Sequence, residues 1–226
     1  MNFFGRPAIY SQLCTMFPMK VFKKRDLYYI CVNMKYPRPI YKIILCGEGG
    51  VGKSTLLRSK VNEKYTPVEQ LTIGIDFDCY AFEAKDNSMT LLAFDLGGQE
   101  HFQFIHKAFI GGAKAGIIVY DLTKFRTFLK IPHWIELLQS EYPSIPILIV
   151  GSKKDIVDEE TLIHAQKEWK IMKNDLPDTV NIIGHYQISS KNPDETKQVF
   201  RKIQDLAMTW KQRLEESSQI GISSKQ

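Results

Sequence analysis

The segment at residues 47–54 constrains the fold of this chain more than any other. It reads Gly-Glu-Gly-Gly-Val-Gly-Lys-Ser, which matches the pattern G-x-x-x-x-G-K-[ST]. An apolar run at residues 40–46 precedes it, and a short segment compatible with a helix, residues 55–58, follows it. We therefore predict an α/β fold in which this phosphate loop joins a buried strand to a helix.

The residue types of the phosphate loop predict binding of a nucleotide. Glycines let the backbone turn tightly, so that successive N–H groups point at phosphate oxygens, and the following helix brings its positive end to the same anion. Lys53 can reach the β- and γ-phosphates, and the hydroxyl of Ser54 can coordinate Mg²⁺. The predicted binding residues here are Gly47, Glu48, Gly49, Gly50, Val51, Gly52, Lys53, Ser54 and Thr55.

Strand-like and helix-like segments alternate between residues 40 and 210. The strand-like segments are apolar or alternating and lie at residues 40–46, 75–84, 89–96, 116–122, 145–151 and 182–189. The last helical pattern, residues 199–214, repeats apolar side chains at three- and four-residue spacing. These patterns predict the three-layer P-loop NTPase fold, with a mostly parallel six-stranded sheet flanked by about five helices.

Charge and composition divide the chain into three parts. Its 226 residues carry a net charge of +5, and residues 1–39 alone carry +6, so that the remainder sums to −1. We expect residues 1–39 to be a basic, aromatic extension, residues 40–214 to be the nucleotide-binding domain, and residues 215–226 to be a flexible tail.

The extension at residues 1–39 leaves two interpretations open. A segment that packs on the domain or stays disordered is favoured, because no amphipathic period is present. The alternative is a weak contact of its basic and aromatic side chains with an anionic membrane surface. The extension lacks the apolar core and the cleavage site of a signal peptide.

Other features predict a cytoplasmic protein. No apolar run is long enough for a transmembrane segment, and the four cysteines show no C-x-x-C pairing. No cysteine follows Cys79 and residue 2 is Asn2, so we expect neither a prenylation site nor N-myristoylation. We expect no nucleic acid among its partners.

Residues further along the chain extend the predicted phosphate site. Asp95 follows a strand and can hold Mg²⁺, and the backbone of Gly98 can approach a γ-phosphate. Gln99 can orient an attacking water and is the predicted catalytic residue. Thr72 lies eighteen residues after Ser54 in a polar stretch and can complete the metal shell. The predicted Mg²⁺ ligands are therefore Ser54, Thr72 and Asp95, but an ATPase, a kinase and a GTPase all remain open.

Five segments together resemble the guanine-nucleotide motifs of small GTPases of the Ras superfamily. They occur in the order of that family, at residues 47–54, 72–77, 95–100, 152–155 and 189–191. Thr72-Ile-Gly-Ile-Asp-Phe77 resembles the Rab branch, whereas Leu-Gly-Gly-Gln at residues 96–99 resembles the Arf style. Phe77, Phe94 and Phe109 lie where Rab-like proteins carry an aromatic triad, although a purely structural core role is equally expected.

The resemblance implies that guanine is the base. Asp155 would accept hydrogen bonds from the N1–H and N2–H₂ groups of guanine, and the stem of Lys153 would lie along the ring. Ser152 stands where the family has an Asn that contacts N7 and braces the phosphate loop, a loss worth about 0.5–1.5 kcal/mol. The motif at Ser189, Ser190 and Lys191 would place N–H groups near O6. We expect the preference for guanine to survive.

The resemblance also implies a function and partners. The chain is expected to bind GTP and GDP with Mg²⁺ and to act as a molecular switch in membrane-traffic or signalling-type regulation. Residues 61–75 contain no arginine, so hydrolysis should be slow, on the order of 10⁻⁴ to 10⁻³ s⁻¹. An effector, an exchange factor and an activating protein would bind through residues 61–77 and 96–112. The alternatives are a nucleotide-binding interaction module with little or no hydrolysis, and a P-loop ATPase or kinase.

Overall fold

The computed structural model describes residues 39–61, 68–72, 77–83, 90–96, 110–140 and 142–223. Its strands are β1 (Ile40–Cys46), β2 (Val68–Thr72), β3 (Phe77–Glu83), β4 (Thr90–Leu96), β5 (Ala115–Asp121), β6 (Ile147–Ser152) and β7 (Ile182–Gln187). The helices within these ranges are α1 (Lys53–Val61), α2 (Phe125–Phe128), α3 (Ile131–Gln139), α4 (Glu159–Asp175) and α5 (Pro193–Ser223). A 3₁₀ turn covers Lys154–Ile156.

One sheet, in the order β2-β3-β4-β1-β5-β6-β7, organises the domain. Strands β4, β1, β5, β6 and β7 are parallel, whereas β3 pairs antiparallel with β4, and β2 pairs antiparallel with β3. The predicted α/β fold class is confirmed, and all six predicted strands are present. A seventh strand, β2, is present in the polar stretch that ends at Thr72, where no strand was predicted. Its polar residues Glu69 and Gln70 are compatible with an edge strand, which needs pairing on one side only.

Apolar side chains cover both faces of the central strands. Every residue of β1, β5 and β6 is buried, because helices pack on both sides of these strands. One face carries Ile44, Ile118 and Tyr120 and packs with residues of α3 and α4, such as Trp134 and Trp169. The other face carries Leu45, Ile117 and Val119. It packs with Leu56 of α1 and with Phe200 and Ile203 of α5. The molecule is therefore the three-layer arrangement that the sequence predicts.

The ends of the helices follow local sequence signals. Asp158 caps α4 by accepting a hydrogen bond from the Thr161 N–H at 2.8 Å. Helix α5 begins at Pro193 and carries Asp194 and Glu195 in its first turn. It continues to Ser223, beyond the expected domain end at residue 214. Each residue added to an existing helix gains one hydrogen bond and avoids the cost of starting a new helix. The backbone of residues 215–223 is helical where a flexible tail was expected.

Within the described ranges, every helix is too short or too polar to span a lipid bilayer. Residues 1–38, which make up nearly all of the expected extension, lie outside the described residues.

Candidate nucleotide-binding site

The phosphate loop requires glycine at three of its four glycine positions. Between the end of β1 and the start of α1, the backbone φ angles of Gly47, Gly50 and Gly52 are 136°, 73° and 99°. Residues that carry a Cβ atom rarely adopt such φ angles. A Cβ atom at Gly47 would lie 2.1 Å from the carbonyl oxygen of Val119, so the loop can pass β5 only at a glycine. The predicted turn between strand and helix is present at these residues.

Lys53 places its charge inside the phosphate loop. Its Nζ donates hydrogen bonds to the carbonyl oxygens of Gly47 and Glu48, both at 3.0 Å, and the residue is 6% exposed. Burial lowers the pKa of the Lys53 ammonium, and the negative charge of Asp95 acts in the opposite direction. An ammonium group with a neighbouring carboxylate is therefore available at the loop.

The sheet register brings Ser54 and Asp95 together. Strand β4 pairs with β1 so that Asp95 lies opposite Leu45, next to the phosphate loop. The Ser54 hydroxyl donates a hydrogen bond to Oδ2 of Asp95, which is 5% exposed. The other predicted ligand, Thr72, ends β2, and its side chain lies outside the described part of the chain, as do Gly98 and the predicted catalytic residue Gln99. Among described residues, no group of three or more His, Cys, Asp or Glu side chains could hold a metal ion.

Two segments predicted to contact the base meet at Asp155. Its Oδ2 accepts a hydrogen bond from Nζ of Lys191, and its Oδ1 accepts one from Oγ of Ser189, both at 2.7 Å. These bonds from Lys191 and Ser189 hold the pKa of the Asp155 carboxyl below its usual value. The Lys191 N–H also donates to Oγ of Ser189 at 3.2 Å, and Ser190 is half-buried between them. The fold thus brings all four of these residues to one place.

Lys153 is held by Asp121, a residue that was not predicted from the sequence. Its backbone is left-handed, with φ at 63°, and its Nζ lies 2.7 Å from Oδ2 of Asp121. Oδ1 of Asp121 accepts from the N–H of Thr123 at 2.9 Å and from its hydroxyl at 2.7 Å. Burial raises the pKa of Asp121, but the hydrogen bonds from Lys153 and Thr123 outweigh it, and the pKa is lowered.

Asp121 could have been found by the argument that identified Asp95. Both are acidic residues at the carboxyl ends of strands that pair with β1, where ligands bind in open parallel sheets. Asp121 is 1% exposed, and it therefore serves as a fixed anionic partner for Lys153.

Ser152 braces the phosphate loop. Its Oγ lies 2.5 Å from the carbonyl oxygen of Val51 and 2.9 Å from that of Tyr120. The side chain is buried and its single hydroxyl proton is shared between these two acceptors. Of the two tasks that the resemblance assigns to the family's Asn at this position, the geometry shows the brace.

Two further predictions concern aromatic residues and segments for partners. Phe94 is 1% exposed and belongs to the core, which is its structural interpretation, whereas the side chain of Phe77 and all of Phe109 lie outside the described residues. Most of the predicted partner segments, residues 61–77 and 96–112, are also outside the described residues.

Comparisons with known proteins agree with this geometry. A model of the Ras family matches residues 42–209. The chain is 30% identical to the Ras-related protein RABG3f of Arabidopsis thaliana over 174 residues, 74% of this chain and 81% of that protein. It is 31% identical to the Ras-related protein SEC4 of Saccharomyces cerevisiae over 193 residues, 85% of each chain. The Drosophila melanogaster Ras-related protein Rab7 is 27% identical over 180 residues, 74% of this chain and 87% of that protein.

The matched range contains the phosphate loop, Asp95 and both base segments, and the relatives confirm the predicted resemblance to the Rab branch. A nucleotide-binding module without hydrolysis is not favoured by these relatives. The chain belongs to the Ras family and is a Rab-like small GTPase, a switch that binds GTP and GDP and hydrolyses GTP.

Proposed function

We propose that this GTPase is a Mg²⁺-dependent switch in membrane traffic. It recognises guanine through Asp155 and binds the phosphates through Lys53. The observation that carries this proposal is the bond between Ser152 and Val51. It joins the strand that leads into the base segment to the loop that holds the phosphates, at 2.5 Å. A single ligand with a base at one end and phosphates at the other fits such a site.

Mg²⁺ fits the donors beside the phosphate loop. Ser54 and Asp95 offer hydroxyl and carboxylate oxygens, which are the hard donors that this ion prefers. Mg²⁺ in nucleotide enzymes binds through one or two such side chains and completes its shell with waters and phosphate oxygens. The hydroxyl of Thr72 is the proposed third protein donor. When bound, the ion would neutralise charge on the phosphates.

Hydrolysis is proposed to use positioning and charge rather than a covalent intermediate. Lys53 supplies positive charge to the β- and γ-phosphates, and Gln99 orients the attacking water. A Cβ at Gly49 would meet no atom within 4 Å, so this position leaves open space at the loop. A bulky side chain at Gly49 would fill the space where the water must approach and would leave the fold intact.

The switch and its partners involve the segments at residues 61–77 and 96–112. A γ-phosphate would hold Thr72 and Gly98, and hydrolysis would release both. An effector and an exchange factor would distinguish these two states. Because residues 61–75 contain no arginine, we expect an activating protein to supply one.

We propose a cytoplasmic location. Weak binding of residues 1–39 to anionic membranes is the secondary proposal, based on their net charge of +6. Co-sedimentation of the full chain and a Δ1–38 variant with phosphatidylserine vesicles tests it. Equal, weak binding by both proteins would contradict the membrane contact.

Nucleotide binding and turnover test the main proposal together. We expect fluorescent GDP to bind far more tightly than fluorescent ADP, and Mg²⁺ removal to accelerate GDP release. Gln99→Leu and Gly49→Val should suppress single-turnover GTP hydrolysis while GTP still binds. Equal affinity for ADP would contradict guanine recognition, and unchanged hydrolysis rates would contradict the proposed roles of Gln99 and Gly49.

A further inference from the structure

Glu195 joins the two segments that contact the base. It lies in the first turn of α5, and its Oε2 accepts a hydrogen bond from the Ser189 N–H at 2.6 Å. Its Oε1 accepts another from Nζ of Lys154 at 2.7 Å. Lys154 lies between Lys153 and Asp155 on one segment, and Ser189 begins the other. One carboxylate therefore holds both.

Ser189 connects Glu195 to Asp155. The Ser189 backbone is held by Glu195, and its hydroxyl donates to Oδ1 of Asp155 at 2.7 Å. A charged acceptor makes a shorter and stronger hydrogen bond than a neutral one, and Ser189 is 6% exposed. The orientation of the Asp155 carboxylate is thus coupled to Glu195 through one intervening residue.

The two segments are also joined without Glu195. The Lys154 N–H donates to the carbonyl oxygen of Ile188 at 3.0 Å, so backbone contact alone keeps them adjacent. Loss of the Glu195 carboxylate would therefore leave the segments in place and remove one restraint on the orientation of Ser189, the charged acceptor of its N–H.

We propose that Glu195 is a positioning residue that sets the specificity of this site for guanine by orienting Asp155 through Ser189. The proposal rests on the proposed recognition of guanine by Asp155. The Glu195 carboxylate contacts Nζ of Lys154 and the N–H of Ser189, so its proposed effect on the base passes through Asp155. It acts on the one carboxylate that distinguishes the 2-amino group of guanine from a purine without it.

A second explanation of Glu195 must be separated from this one. Acidic residues in the first turn of a helix stabilise the helix by interaction with its dipole. Asp194 also lies in that turn, but its side chain is 87% exposed and its ion pair is with Lys197 at 3.5 Å. Asp194→Ala is therefore a matched control for the effect of an acidic residue at this helix end.

The test compares GDP with inosine diphosphate, which lacks the 2-amino group. The ratio of the two affinities should fall about threefold to tenfold in Glu195→Ala, because Asp155 loses part of its orientation. The ratio should stay near that of the wild type in Glu195→Gln, whose amide oxygen still accepts from Ser189. It should also stay there in Lys154→Met, which loses only the ion pair, and in Asp194→Ala.

An unchanged ratio in Glu195→Ala, with or without a lower melting temperature, would overturn the proposal. Equal losses in Lys154→Met and Glu195→Ala would also overturn it, because the ion pair rather than the Ser189 contact would then matter. Failure of the proposed guanine recognition would be visible separately, since the wild-type protein itself would not distinguish GDP from inosine diphosphate.

Discussion

The hydroxyl oxygen of Ser152 lies 2.5 Å from the carbonyl oxygen of Val51, a residue 101 positions earlier in the chain. The same hydroxyl lies 2.9 Å from the carbonyl oxygen of Tyr120 at the end of β5. A small side chain at the end of β6 therefore connects the phosphate loop with the strand next to it. Ser152 is also the first residue of the base segment at residues 152–155, so this one hydroxyl supports both ends of the nucleotide site.

Ser152→Ala should weaken this support. The variant leaves two buried carbonyl groups without the hydroxyl donor, and we expect a loss of about 1–3 kcal/mol in the free energy of unfolding. GDP affinity should fall by about tenfold. Denaturant unfolding and stopped-flow release of fluorescent GDP measure both effects.

Ser59→Ala is the matched control for Ser152→Ala. The Ser59 hydroxyl donates to the carbonyl oxygen of Leu56 within α1 at 2.7 Å, so its loss should affect only that helix. Equal behaviour of the two alanine variants would contradict the bracing role of Ser152.

Asp121 and Lys153 should behave as one unit in nucleotide binding. Asp121→Asn and Lys153→Met each remove the same 2.7 Å ion pair, and each is expected to weaken GDP binding. The double variant should then bind GDP about as well as the weaker single variant, with a coupling energy of about 0.5–3 kcal/mol. Equilibrium titration with fluorescent GDP gives all four affinities, and additive losses would show that the two residues act independently.

Gly47→Ala and Gly49→Ala should differ sharply in stability. A Cβ at Gly47 would overlap the carbonyl oxygen of Val119 at a φ of 136°, so we expect a loss of about 1–3 kcal/mol or more. A Cβ at Gly49 would meet nothing within 4 Å, and its variant should stay within about 0.5 kcal/mol of the wild type. Urea unfolding compares them, and similar midpoints would contradict the close approach of Gly47 to β5.

The protein should become less stable as the pH falls below about 6.5, because of His185. Its ring stacks on Trp169 at 4.8 Å, its Nε2 lies 2.9 Å from the Tyr120 hydroxyl, and burial lowers its pKa to about 4. The unfolded chain protonates this histidine near pH 6.5, so between pH 6.5 and 4 the unfolded state binds more protons. Over this range, the free energy of unfolding should decrease by up to about 1.4 kcal/mol for each unit by which the pH falls.

Above pH 7 the contribution of His185 should be constant, because the ring is neutral in both states. His185→Gln keeps a polar group beside Tyr120 and removes the titration, so its stability should vary less between pH 6.5 and 4. If the free energy of unfolding of both proteins changed by the same amount between pH 6.5 and 4, a buried neutral His185 would be contradicted.

The fold and much of the site could be predicted from local patterns. The phosphate loop and the strands around it depend on residue types at short spacing, and the structure has them where they were predicted. Strand β2 was missed because an edge strand has no strong apolar pattern. Asp121 and Glu195 were missed because their partners, Lys153 and Ser189, become neighbours only through strand order and the packing of α5.

By itself the sequence determined the type of ligand, because glycines, Lys53 and Ser54 at fixed spacing suit a phosphate chain whatever surrounds them. Only the tertiary structure decided what Ser152 does. A lone serine after a strand has no predictable acceptor, and the parallel pairing of β1, β5 and β6 places two carbonyl oxygens within reach of its hydroxyl. Parallel strands that are buried on both faces read as continuous apolar runs, which do not show which strands pair, so these contacts between distant residues are decided by packing.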